Sequence, residues 1–220
     1  MKEEEIFKDL FRAVVDLDGE KGQRAANELV KEKLDPLEGI EKGLSRGMKV
    51  IGEKFEKLEI YLPELIMAAD VFNSAMKILE PQISAADKNK IRKGMVVIGT
   101  VKGDIHEIGK DIVAMLLETA GFSVHNLGKD VPASTFLEEA EKVKADIIGM
   151  SSLLTTTMLG QKELIDILKE TGDRDKYIVM IGGAPTSQAW ADEIGADGYG
   201  KTAEDAVSLA SELVSKKGKV

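Results

Sequence analysis

From Gly94 onward the chain alternates short apolar runs with stretches of helical periodicity, and this alternation leaves few folds open. The runs Met95–Thr100, Ser123–Leu127, Asp146–Met150, Tyr177–Ile181 and Gly198–Tyr199 read as strands. Helices are expected over about Ile108–Thr119, Ser134–Val143, Gly160–Glu170, Ser187–Ile194 and Ala203–Ser215. Strands and helices in strict turn imply a parallel sheet covered on both faces. Five strands suggest the flavodoxin-like, Rossmann-like order 2-1-3-4-5, with ligands taken at the carboxyl edge.

The first part has a different pattern. Ile6, Leu10, Val14 and Leu17 form a helical stripe that Asp18-Gly19 ends. A second helix is expected over about Glu20–Leu34, with Ala25, Ala26, Leu29 and Val30 inward. Asp35 caps the next helix and Pro36 occupies its first position. That helix runs through Leu37, Ile40, Leu44, Met48, Ile51 and Phe55. After a break near Glu59–Tyr61, a fourth helix starts at Pro63 and carries Leu65, Ile66, Ala69, Phe72, Met76 and Leu79. The expectation is a four-helix bundle over residues 1–90 and an α/β domain over 91–220, joined by a polar linker from Gln82 to Lys93.

A net charge of −9 without a basic patch argues against a nucleic-acid partner. The absence of cysteine excludes disulfides and thiolate ligands. No apolar run reaches membrane-spanning length, and the acidic start Met1–Glu5 lacks an apolar signal segment. A full-length, soluble, cytoplasmic protein without a membrane partner is expected.

One of only two histidines lies in Gly99-Thr-Val-Lys-Gly-Asp-Ile-His-Glu-Ile-Gly-Lys110, between the first strand and its helix. Asp104 and His106 are two apart, so an extended loop points both to one side. A carboxylate there can take the imidazole N–H and make the other nitrogen a better ligand. Gly103 and Gly109 flank the pair and allow close backbone approach. Taken alone, Asp-x-His is short and reads more readily as an ordinary polar loop. The other loops of the same edge are Gly149–Thr157, rich in hydroxyls that can bind a ligand or cap a helix, then Ile181–Pro185, with paired glycines, and Gly198-Tyr-Gly200. No Gly-x-Gly-x-x-Gly or Walker motif is present. His125 reads as structural, and Trp190 has no role assignable from sequence.

Taken together, Asp104-Ile-His-Glu-Ile-Gly109, Ser151-Ser-Leu153 and Gly182-Gly183 resemble the Asp-x-His-x-x-Gly, Ser-x-Leu, Gly-Gly signature of cobalamin-binding domains. Thr100–Lys110 is similar to the corresponding segment of methionine synthase. The resemblance extends to Phe55, Tyr61-Leu-Pro63 and Ala68-Ala69 in the bundle, and so to the corrinoid proteins of methyltransferase systems.

That resemblance implies cobalamin or a related corrinoid, bound base-off with His106 as the axial cobalt ligand, and a methylcobalamin form in the cycle. Asp104 would hold the histidine and Ser151 would extend the relay. The displaced nucleotide tail would pass Gly109, Ser151, Leu153, Thr155, Gly182, Gly183, Tyr199 and Gly200. Gly103 and Ile105 would border the ring. The bundle would act as a cap, with Phe55 and Leu62 shielding the methyl group (both equally natural as bundle core) and a hinge at Asp87–Lys90. The implied function is a methyl carrier, not a complete enzyme by itself. It would serve a substrate:corrinoid methyltransferase and a second methyltransferase whose acceptor is a pterin or thiol coenzyme, with a reductive activase. The alternative is the cobalamin-binding subunit of an adenosylcobalamin-dependent mutase, which the preceding bundle disfavours. A cobalamin-dependent light sensor would need an output domain for which no residues remain.

Overall fold

The computed structural model describes residues 2–83 and 93–218. The chain divides into two compact units, Met1–Ile91 and Arg92–Val220. The expected hinge, Asp87–Lys90, and most of the linker lie outside the described residues.

In the first unit, helix α1 (Lys2–Val15) buries Ile6, Leu10 and Val14. Helix α2 (Gly19–Lys31) starts two residues after the turn, because the Asp18 carboxylate accepts from the Lys21 N–H at 2.9 Å. It buries Ala25, Ala26 and Leu29, with Val30 only half-buried. Asp35 caps α3 (Pro36–Gly39) at the Leu37 N–H, 2.8 Å away. The single helix expected from Leu37 to Phe55 is interrupted. A π-helical segment, Ile40–Ser45, separates α3 from α4 (Arg46–Glu56). The glycine row 39, 43, 47 explains how close this segment lies to its neighbours. A Cβ on Gly43 would stand 2.7 Å from the Leu10 Cβ, and one on Gly47 2.8 Å from the Val14 Cβ. Helix α5 (Leu62–Leu79) buries Leu65, Ala69, Phe72 and Leu79. Ile66, expected inward, is exposed, since it follows Leu65 by one residue and so points about 100° around the helix from it.

The second unit is a five-stranded parallel sheet in the order β2-β1-β3-β4-β5. The strands are β1 (Met95–Thr100), β2 (Ser123–Asn126), β3 (Ile147–Ser151), β4 (Ile178–Gly182) and β5 (Gly198–Gly200). The helices are α6 (Ile108–Thr119), α7 (Ala133–Val143), α8 (Leu159–Thr171), α9 (Gln188–Ile194) and α10 (Ala203–Lys217). Alternate residues of each strand feed two cores. Val97, Ile148 and Val179 pack with Phe136, Leu164 and Leu168. Val96, Ile98, Ile147 and Ile178 pack with Leu117 and Ala210 on the other face. β3 begins one residue later than expected, but Asp146 already joins the hydrogen bonding at the sheet's entrance: its N–H donates to the Met95 carbonyl at 2.8 Å, its carbonyl accepts from the Ile178 N–H at 2.9 Å, and its carboxylate accepts from the Met95 N–H at 2.8 Å. No described helix is long and apolar enough to cross a membrane.

Candidate functional site

The strand order reverses between β1 and β3, so the loops that follow them diverge to opposite faces and leave a crevice at the carboxyl edge. The β1–α6 loop carries Asp104 and His106, and the β3–α8 loop spans 152–158.

Asp104 is fully buried. One carboxylate oxygen accepts from the His106 backbone N–H at 3.0 Å and lies 2.7 Å from Nδ1 of the same residue. The other accepts from the Leu153 N–H at 2.7 Å, the Leu154 N–H at 3.2 Å and the Thr157 hydroxyl at 2.9 Å. Burial pushes the Asp104 carboxyl up, but the donors from His106, Leu153 and Thr157 together outweigh it and hold it well below the usual carboxylate range. An ionised carboxylate is acceptor-only. The imidazole proton therefore sits on Nδ1, and the Nε2 lone pair is free on a ring that is 47% exposed.

The histidine loop is fixed from further sides. The buried Thr100 hydroxyl donates to the His106 carbonyl at 2.9 Å. Asp130 accepts from the Gly103 N–H at 2.7 Å and donates its own N–H to the Asp104 carbonyl at 3.0 Å. Gly103 makes the turn at φ +84. The buried Lys110 ammonium sits 2.6 Å from the Asn126 side-chain oxygen and 2.5 Å from the Asp111 carboxylate, tying the start of α6 to the end of β2.

The hydroxyl on Asp104 belongs to Thr157, not to Ser151. Ser151 is the last residue of β3, half-buried, and pairs with Thr100 and Gly182 in the sheet. The relay runs on from Thr157 to the Ser152 hydroxyl, 2.8 Å away. Ile105, Ile108, Leu153, Leu154 and Leu159 are exposed apolar side chains of these same two loops and the helix starts beside them, with Ile105 and Ile108 each 67% exposed. A Cβ on Gly109 would meet nothing within 4 Å, so that flank of the crevice is open. Thr155 is exposed on the β3–α8 loop.

Gly182 and Gly183 follow β4 on the neighbouring part of the edge. Gly183, at φ +121, lies so close to the β3 loop that a Cβ would stand 1.8 Å from the Ser152 carbonyl oxygen. Tyr199 packs against the apolar core beneath α8 and α9. Gly200 is small because of α10: a Cβ there would stand 2.8 Å from the Ala206 Cβ. Phe55 and Leu62 are half-buried in the helical unit, next to exposed Leu58 and Tyr61. Sequence reasoning missed Thr157, Ser152, Thr100 and Asp130. Only the concentration of hydroxyls over 151–157 gave any signal of the first two.

A family described as B12 binding domain matches residues 94–208, and another of the same description matches residues 6–80. The chain is 47% identical to a dimethylamine corrinoid protein of Methanosarcina acetivorans over 97% of this chain and 98% of that one. It is 46% identical to a trimethylamine corrinoid protein of Methanosarcina barkeri, covering 93% and 94% of the two. A solved methanol:cobalamin methyltransferase complex, MtaBC from Methanosarcina barkeri, superposes with a TM-score of 0.82 at 30% identity, over 96% of this chain and 80% of that one.

Proposed function

The chain belongs to the B12-binding corrinoid proteins of methyltransferase systems, and on that premise we propose that it carries a methyl group from a methylated amine to a second methyltransferase, with His106 as its axial cobalt ligand. The observation that carries the ligand assignment is the 2.7 Å contact of the buried Asp104 with His106 Nδ1, which leaves Nε2 available on a half-exposed ring. The residues present fit a corrinoid. The face of a broad macrocycle matches the exposed Ile105, Ile108, Leu153, Leu154 and Leu159, and the open flank at Gly109 would admit a chain leaving the ring.

The corrinoid supplies a cobalt centre that, when reduced, is nucleophilic enough to take up a methyl group. The protein's part is to hold and orient it. Asp104 keeps the His106 ring in one tautomer and one orientation, and its own charge is held by donors from Leu153, Leu154 and Thr157. Thr157 and Ser152 continue that hydrogen-bonded chain away from the ring. The displaced nucleotide tail would enter the slot bordered by Gly109 and the loops carrying Ser151, Leu153, Thr155, Gly182 and Gly183.

Support for a methylated amine as methyl source is the identity to dimethylamine and trimethylamine corrinoid proteins along nearly the whole chain. A substrate:corrinoid methyltransferase, a second methyltransferase with a pterin or thiol acceptor, and a reductive activase complete the proposed system. The mutase reading is not favoured, because the helical unit ahead of the sheet also belongs to the family.

The test is the absorption spectrum of the protein with methylcobalamin, in wild type, His106→Ala and His125→Ala. Only His106→Ala is expected to change the bound spectrum. An unchanged spectrum in that variant removes the ligand assignment while leaving corrinoid binding intact.

A further inference from the structure

Gln161 is fully buried in the first turn of α8, yet its side chain carries both donors and an acceptor. Its Nε2 donates to the Met150 carbonyl at 3.2 Å and to the Gly182 carbonyl at 3.1 Å, using both N–H groups. Its Oε1 accepts from the indole N–H of Trp190 at 3.0 Å. Met150 is in β3 and Gly182 ends β4, so one side-chain amide bridges the carboxyl ends of adjacent strands. The same Gly182 carbonyl also accepts from the Ser152 N–H at 3.1 Å. The next residue, Gly183, is pressed against the Ser152 carbonyl with no room for a side chain. Its own carbonyl accepts from the Thr186 hydroxyl at 2.6 Å.

A buried amide with every donor and acceptor used fixes the groups around it, since any displacement leaves a polar atom unmatched. The groups fixed here are the starts of the two loops that form one wall of the crevice. We propose that Gln161, oriented by Trp190, is a positioning residue that sets the separation of the β3 and β4 loops for the nucleotide tail of the corrinoid. The inference rests on the tail-slot reading above. It assigns a function to Trp190, the only tryptophan of the chain. Gln161 and Trp190 bond to the strand ends and to each other, whereas the donors that hold Asp104 come from Leu153, Leu154 and Thr157, further along the β3 loop.

The experiment compares two probes, cobalamin and cobinamide, the second a corrin without the nucleotide tail. Wild type, Gln161→Glu and Trp190→Phe are titrated with each and followed by corrinoid absorbance, with thermal unfolding of the unloaded protein as the fold check. Gln161→Glu removes both donors at nearly constant volume. It is expected to weaken cobalamin binding about tenfold or more, and Trp190→Phe about threefold, with cobinamide affinity within about twofold of wild type. Equal losses for both probes, or no loss for either, overturn the inference. If wild type binds the two probes equally well, the tail-slot reading itself fails. A wild-type preference for cobalamin that both variants retain in full removes the role of Gln161 alone. Should Gln161→Glu fail the fold check, Trp190→Phe, which keeps an aromatic side chain but loses the indole N–H, decides the matter.

Discussion

The two histidines make nearly the same contact and have different consequences. His106 Nδ1 lies 2.7 Å from a carboxylate oxygen, and His125 Nε2 lies 2.9 Å from one. Asp104, the partner of His106, is fully buried and accepts from four further donors. Glu139, the partner of His125, lies on the surface of α7 and is shared with Lys142, which lowers its carboxyl first, with His125 second. A carboxylate beside an imidazole is therefore a weak sign of a ligand. What distinguishes His106 is a carboxylate that cannot move, at the carboxyl edge of the sheet, engaging the nitrogen that leaves the other one facing out.

The largest expected difference follows from removing each carboxylate. Asp104→Ala strands the His106, Leu153 and Leu154 N–H groups and the Thr157 hydroxyl around a buried hole. It is expected to cost about 3 kcal/mol or more in urea denaturation of the unloaded protein. Glu139→Ala is expected to give no measurable change, since an exposed ion pair contributes little. Similar midpoints for the two variants would erase the distinction drawn between the histidines.

Acid sharpens the same contrast. The Asp104 carboxyl is lower in the folded than in the unfolded chain, whose ordinary value is 3.8. Its stabilising effect is thus complete above that value and is lost as the pH falls through and below it toward the folded value. The stability gap between wild type and Asp104→Asn is expected to stay level from about pH 7 to about pH 5 and to narrow below about pH 4. A gap that narrows already at about pH 6 would mean that Asp104 is not the titrating group.

Much of this arrangement was legible in the residues. The apolar runs of the second unit are β-branched and bounded by turns, so the strand order agrees and all five helices lie within two residues of the expected positions. The Asp104–His106 pair was legible because a spacing of two is local. Other features depended on tertiary course. The π-helical segment at Ile40–Ser45 appears only when the glycine row meets α1. Lys110 and Gln161 are polar helix residues of a kind usually exposed, and their burial depends on Asn126 and Trp190, far along the chain. Ser151 was preferred over Thr157 because it stands in the Ser-x-Leu signature. The loop coils after β3 and returns a later hydroxyl to a carboxylate 53 positions back.

That exchange gives the smallest of the expected effects and the most local test of what holds His106 and not His125. Thr157→Val keeps the side chain's shape and removes its hydroxyl from both Asp104 and Ser152. It is expected to cost about 1 kcal/mol in urea denaturation, since the carboxylate keeps its other donors. Ser151→Ala takes nothing from Asp104 and is expected to cost less than about 0.5 kcal/mol. The reverse order of the two costs would return the relay to Ser151. Equal and negligible costs would mean that the backbone donors of Leu153 and Leu154 suffice to hold the carboxylate, so that the rigidity separating the two histidines is a property of the loop backbone alone.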